Sequence, residues 1–199
     1  MVLNPAALEV GQLAERMAQG YYTHAALVEI ARDPRAKSLA PTILPGHVVP
    51  EGYVECKDGE NVVFHFNHFL DQAKTAMAED LARTWLVGAL LTVGDALAKN
   101  KYFDHAPELE LLRHLRNGIA HGNSFNIKRE AIDPRTGGLK HPAHNRLARV
   151  KSDLLTFEIS PALHGQPVLF DFMKPGDVIH LLVSAGLYLV HMGNGDSLR

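Results

Sequence analysis

Residues 113–125 read RHLRNGIAHGNSF, which places two arginines, two histidines and an asparagine at the end of one apolar-patterned segment. On a helix, Arg113, Arg116, Asn117, Ala120 and His121 follow at steps of three, one, three and one, so they predict a polar stripe. Asn117 and His121 are four apart and stack one turn over the other, whereas Arg116 and His121, five apart, share a face only loosely. His121 falls in the predicted last turn, where the negative end of the helix dipole attracts cations. Arg116 is a permanent cation with a planar fork of donors that suits phosphate. A cation for phosphate, an imidazole that can move protons and an amide that can orient either one are the parts needed for metal-free phosphodiester cleavage. The same residue types also satisfy the last carbonyls of a surface helix, which is the structural alternative.

The segment R-N-G-I-A-H, with Arg116, a polar Asn117 and His121 after four intervening residues, resembles the HEPN superfamily (higher eukaryotes and prokaryotes nucleotide-binding domains), in particular bacterial defence and toxin-like members. The resemblance covers residues 67–122 and extends toward the last helix, but it leaves the first 60 residues and two predicted hairpins unexplained. It implies a mainly α fold: a HEPN-like helical bundle with a long spine helix and two small β-hairpin elaborations. It also implies a metal-independent RNA endonuclease, dimeric, needing no cofactor, with an antitoxin protein as a further partner in toxin–antitoxin or abortive-infection defence. Carried over, His121 transfers protons, Arg116 stabilises the phosphorane and Asn117 orients one of them. Arg113 and His114 match no fixed motif position and are added as nearby substrate-binding candidates; Asn123 matches none either. The alternative is a non-catalytic HEPN-like module that binds nucleotide or RNA, or dimerises.

The elements that must position these residues follow from pattern. The apolar residues from Phe69 through Trp85 to Leu97 recur at spacings of three and four with no proline between 67 and 99, which predicts one long spine helix. Gly88 and Gly94 in that helix would allow a neighbouring helix to pack close. A helix over 107–121 follows, with Pro107 suited to its first turn and Gly122 to the left-handed position after its end. Residues 6–19 and 21–32 read as two shorter helices, and the three prolines and two glycines of 40–52 read as a loop. YVEC and VVFHF flank a turn carrying Asp58-Gly59 and predict a hairpin. LLTFEI and VLFDF predict a second one, and an apolar helix over 176–192 closes the bundle, with Pro175 in or before its first turn. The expected organisation is a single HEPN-like domain over 1–199, with 1–60 as N-terminal elaboration and 61–199 as bundle core.

Composition narrows the function classes. The chain has 199 residues, 46% hydrophobic, with a formal net charge of -2, so any phosphate binding must be local rather than driven by a global basic field. Seven Lys and Arg residues between 128 and 151, opposed by Glu130 and Asp133, form the basic segment of the loop 123–152. The lone cysteine, Cys56, cannot pair internally and reads as a small strand hydrophobe. The N-terminus carries acids where a signal peptide would be basic, and the apolar stretch 178–192 is shorter than a bilayer span and contains His180 and His191. A soluble, cytoplasmic protein without membrane contact is expected. No glycine-rich phosphate loop, serine-nucleophile motif or CxxC occurs. His65, His68 and Asp71 have a spacing that zinc ligands can adopt, but their Phe-rich surroundings favour a strand-to-helix junction, and no metal is expected. His141 and His144 read as part of a solvated loop, with RNA contact the next reading. Glu79, Asp80 and Arg83 predict an intrahelical ion pair or a polar support for the Arg/His motif.

Overall fold

In a computed structural model, residues 3–39, 43, 45–46, 48–127, 135, 149–151 and 155–196 are described. The described residues are mainly helical, with two small antiparallel strand pairs. The α-helices are α1 (Pro5–Arg32), α2 (Phe66–Gln72), α3 (Met77–Asn100), α4 (Pro107–Ala120) and α5 (Pro175–Asn194). Strands β1 (Glu51–Glu55) and β2 (Asn61–His65) pair in register Tyr53 opposite Val63, around a turn whose Gly59 has φ +87°. Strands β3 (Arg149–Lys151) and β4 (Thr156–Glu158) pair Val150 with Phe157. The chain forms two compact units, one of residues 1–21 with 85–199 and one of residues 22–84.

The larger unit holds the core that positions the Arg/His segment. Ala7, Val10, Ala14 and Ala18 recur along one face of α1 and are buried. They join Leu86, Leu90, Val93 and Leu97 of α3, Leu109, Leu111, Leu112 and Leu115 of α4, and Val178, Leu181, Leu182 and Leu189 of α5. Small residues let α1 and α5 approach: a Cβ on Gly11 would sit 2.9 Å from the Gly186 carbonyl oxygen, and one on Gly193 2.7 Å from the Leu8 nitrogen. The smaller unit contains the β1–β2 hairpin and α2, where Asp71 accepts hydrogen bonds from Lys37 at 2.7 Å and Lys74 at 3.3 Å. Those two ammonium groups hold the Asp71 carboxyl below its usual range.

Four expectations about elements are corrected. The two N-terminal helices are one helix, because Gly20 interrupts nothing; a Cβ there would fall 2.0 Å from the Trp85 ring, and the Trp85 indole donates to the Met17 carbonyl at 2.9 Å. The spine helix is broken between Gln72 and Met77. Thr75 Oγ1 donates to the Gln72 carbonyl and accepts from the Met77 amide, which gives the backbone a local alternative to continuing. The second strand pair uses β3 and β4, whereas VLFDF contributes an isolated bridge of Leu169 with Met173, next to one of Pro167 with Ser124. The closing helix runs to 20 residues, longer than the apolar stretch; by length and composition α3 and α5 could each cross a membrane. Most of the basic segment 128–151, with His141 and His144, lies outside the described residues.

Gly94 and Gly88 separate on the helix they share. A Cβ on Gly94 would lie 2.5 Å from Arg116 Cγ and 2.7 Å from its Cβ, so α4 crosses α3 at Gly94. Nothing lies within 4 Å of a Cβ on the exposed Gly88, which therefore serves no close approach. Gly94→Val is expected to cost about 1–3 kcal/mol through overpacking. Gly88→Ala is expected to stabilise by about 0.5–1 kcal/mol through helix propensity. Urea midpoints check both, and equal shifts for the two variants would contradict the assigned crossing.

Candidate functional site

The site is built on the second half of α4. Proline at its first position suits α4, since the missing amide would have no intrahelical partner. Its end is fixed by three residues. His121 is the capping residue, with φ −108° and ψ 35°; Gly122 has φ +85° and Asn123 φ +60°. Two left-handed residues in succession turn the chain back, so that the Ser124 amide reaches the Gly118 carbonyl at 3.0 Å. Asn123 tolerates this conformation better than most residues because its short amide can bond the local backbone. Here that amide clamps Leu169, accepting from its N–H at 2.8 Å and donating to its carbonyl. The bonds Phe125 N to Gln166 O (3.0 Å) and Val168 N to Asn123 O (3.1 Å) extend the seam. The end of α4 is thereby fastened to residues 165–169.

Arg116 is half-buried and held from two sides. Its Nε and Nη2 donate to Asp95 Oδ1 of α3 at 2.8 and 2.6 Å, and its Nη1 donates to Asn117 Oδ1 at 3.2 Å. Among the described residues, three of the five guanidinium N–H groups are thus engaged, leaving two. Of the two orienting roles expected of Asn117, its contact is with Arg116 and not with His121. His121 is exposed, and no hydrogen bond or ion pair holds its side chain among the described residues.

The other two site candidates do not lie on a solvent-facing stripe. Arg113 and His114 are 6% and 5% exposed. Arg113 pairs with Asp104 and lies 3.4 Å from Glu110, with its guanidinium 4.9 Å from the Phe103 ring centroid. His114 Nε2 is 3.8 Å from Glu110 Oε1. Glu110 is itself buried, so α4 carries a carboxylate flanked by two basic side chains inside the core. Arg113 lines the wall of a cavity, and His114 does not reach it.

That cavity, of about 420 Å³, lies between the end of α3 and α4 and is lined by Lys101, Phe103, Asp104, Arg113, Arg116 and Asn117. It brings together three of the five expected residues and leaves out His114 and His121. Pattern reasoning missed Asp95 and Lys101, and set Asn123 aside as matching no motif position. The signal for Asp95 was its place beside Gly94, where helices cross, rather than the Glu79, Asp80 and Arg83 stripe considered for the same support. Elsewhere, His65 Nδ1 faces Glu51 Oε1 at 3.5 Å and Asp71 serves the two lysines, so His65, His68 and Asp71 have separate surroundings. Cys56 is half-buried at the end of β1, where its amide closes the hairpin turn onto Glu60. In the smaller unit, a cavity of about 410 Å³ is almost wholly apolar, with Phe64, Phe66 and Phe69 among its walls. Comparison with family models, with characterised proteins and with solved structures finds no match to this chain.

Proposed function

We propose that this chain is a HEPN-like, metal-independent RNA endonuclease that works as a homodimer. The observation that carries the reading is the state of Arg116: its guanidinium is fixed by Asp95 and Asn117, yet two donors remain at a cavity. A preorganised cation of this kind stabilises charge as it develops on a phosphorane, without reorganising at the moment of reaction. In the reaction, the ribose 2′-hydroxyl attacks the adjacent phosphorus. Its proton passes to a base, and a proton is delivered to the departing 5′-oxygen, which leaves a 2′,3′-cyclic phosphate and a 5′-hydroxyl. His121 supplies one of these transfers. A second His121, from a second copy, supplies the other, because each chain offers a single histidine at this helix end.

The proposed setting is bacterial defence, with an antitoxin-type protein as controlling partner; this rests on the resemblance of the R-N-x-x-x-H segment. A second reading, a non-catalytic binding or dimerisation module, is favoured by the ion pair itself, since Asp95 already balances the Arg116 charge. Assembly tests the proposal. Light scattering is expected to give a dimer, and RNA cleavage per chain is expected to fall on dilution in step with the dimer fraction. A monomer with full activity at micromolar concentration would contradict the two-copy mechanism, and a chain that dimerises without cutting RNA in any condition would support the module.

A further inference from the structure

Lys101 follows α3 in the left-handed region, with φ +59°. Its amide bonds the Ala98 carbonyl at 3.2 Å and the Tyr102 amide bonds the Leu97 carbonyl at 3.0 Å. This is the helix-ending arrangement that ordinarily takes glycine at the left-handed position. A side chain there is strained, and it persists where something else holds it or uses it. The other non-glycine residue in this conformation, Asn123, is held by its amide clamp on Leu169. Lys101 has no such bond: it is exposed, and its ammonium meets no carboxylate among the described residues. It lines the 420 Å³ cavity together with Arg116 and Asn117.

The cavity's two arginines already have carboxylate partners. Arg113 is balanced by Asp104 and Glu110, and Arg116 is held by Asp95. Among the described residues, Lys101 is the lining cation that meets no carboxylate, so it can receive an incoming anion. Beside it are two Arg116 N–H groups and the Asn117 amide nitrogen, whose oxygen is occupied by Arg116. Phe103 lines the same cavity, with the Arg113 guanidinium laid over its ring. Aromatic and guanidinium planes receive an unstacked base, and the volume is that of a small-ligand pocket. We infer that this cavity is a nucleotide subsite for single-stranded RNA, with phosphate on Lys101 and the Arg116 edge and the base against Phe103. A duplex keeps its bases stacked and cannot fill it.

The inference rests on the RNA-processing reading, but its test needs no cleavage. Lys101→Gly removes the ammonium while keeping a residue suited to the left-handed position, so the fold is preserved. The probe is a short fluorescein-labelled single-stranded RNA carrying 2′-O-methyl groups, which cannot undergo 2′-hydroxyl attack. Lys101→Gly is expected to weaken its binding about ten-fold and to reduce the slope of log K against log salt by about 0.7, one phosphate contact. A blunt duplex of the same sequence is expected to bind the parent more weakly and to be indifferent to the substitution. A variant that binds the single strand as tightly as the parent, or a parent that prefers the duplex, would overturn the subsite. A parent that loses single-strand binding with Lys101→Gly, yet cuts no unmodified RNA, would support the subsite and sink the nuclease.

Discussion

His121→Ala is expected to slow RNA cleavage by roughly 10²–10⁴, the usual span for a general acid or base. The ring is exposed and makes no hydrogen bond among the described residues, so its removal leaves the cations of the cavity in place. RNA affinity should therefore change far less than rate. Arg116→Ala should weaken both, because the same guanidinium holds the ground-state phosphate and the developing charge. Gel-based cleavage rates and fluorescence binding, measured on variants shown to be folded, separate the two effects. If folded His121→Ala cuts RNA as fast as the parent, the proton-transfer role is wrong. If affinity follows His121 and rate does not, the residue binds rather than catalyses.

The largest stability effect is expected at Arg113, not at the exposed end of the motif. Arg113→Ala would remove the buried guanidinium that lies 3.4 Å from Glu110, itself 5% exposed, and that pairs with Asp104. Breaking a buried ion pair from one side costs about 3–5 kcal/mol, because the remaining charge stays desolvated. Against a typical domain stability of about 5–15 kcal/mol, that is a large share of the total. Replacing both partners, as in Glu110→Gln with Arg113→Met, is expected to recover most of the loss. Urea unfolding of the single and double variants measures it. A loss below about 1 kcal/mol for Arg113→Ala, with no rescue by the double variant, would show that the pair carries no such charge.

The helix bearing the site was legible because its boundaries have strong chemistry: Pro107 at the first position and Gly122 in the left-handed region. The polar face of that helix was not, because periodicity cannot tell a solvated arginine from one buried against a carboxylate. The pattern Glu110–Arg113–His114, at i, i+3 and i+4, was the available sign that these charges face one another. The break before Met77 was missed for a related reason. Alanines carried the apolar period across residues 73–76, while the competing Thr75 hydroxyl and the acids Glu79 and Asp80 in the first turn of α3 marked a new helix start. Asp95 and Lys101 reach the site through the crossing and the ending of α3. Their positions depend on tertiary packing, and no local spacing encodes them.

The proposed chemistry has Arg116 and His121 cut RNA without a metal ion. Purified protein incubated with mixed RNA in excess EDTA, with the fragment ends then analysed, tests it most directly. Undiminished cleavage is expected, with 2′,3′-cyclic phosphate and 5′-hydroxyl termini, because a side-chain base and acid are enough to activate the 2′-hydroxyl and protonate the leaving oxygen. Cleavage abolished by the chelator and restored by divalent ions, or fragments ending in 5′-phosphate and 3′-hydroxyl, would contradict it.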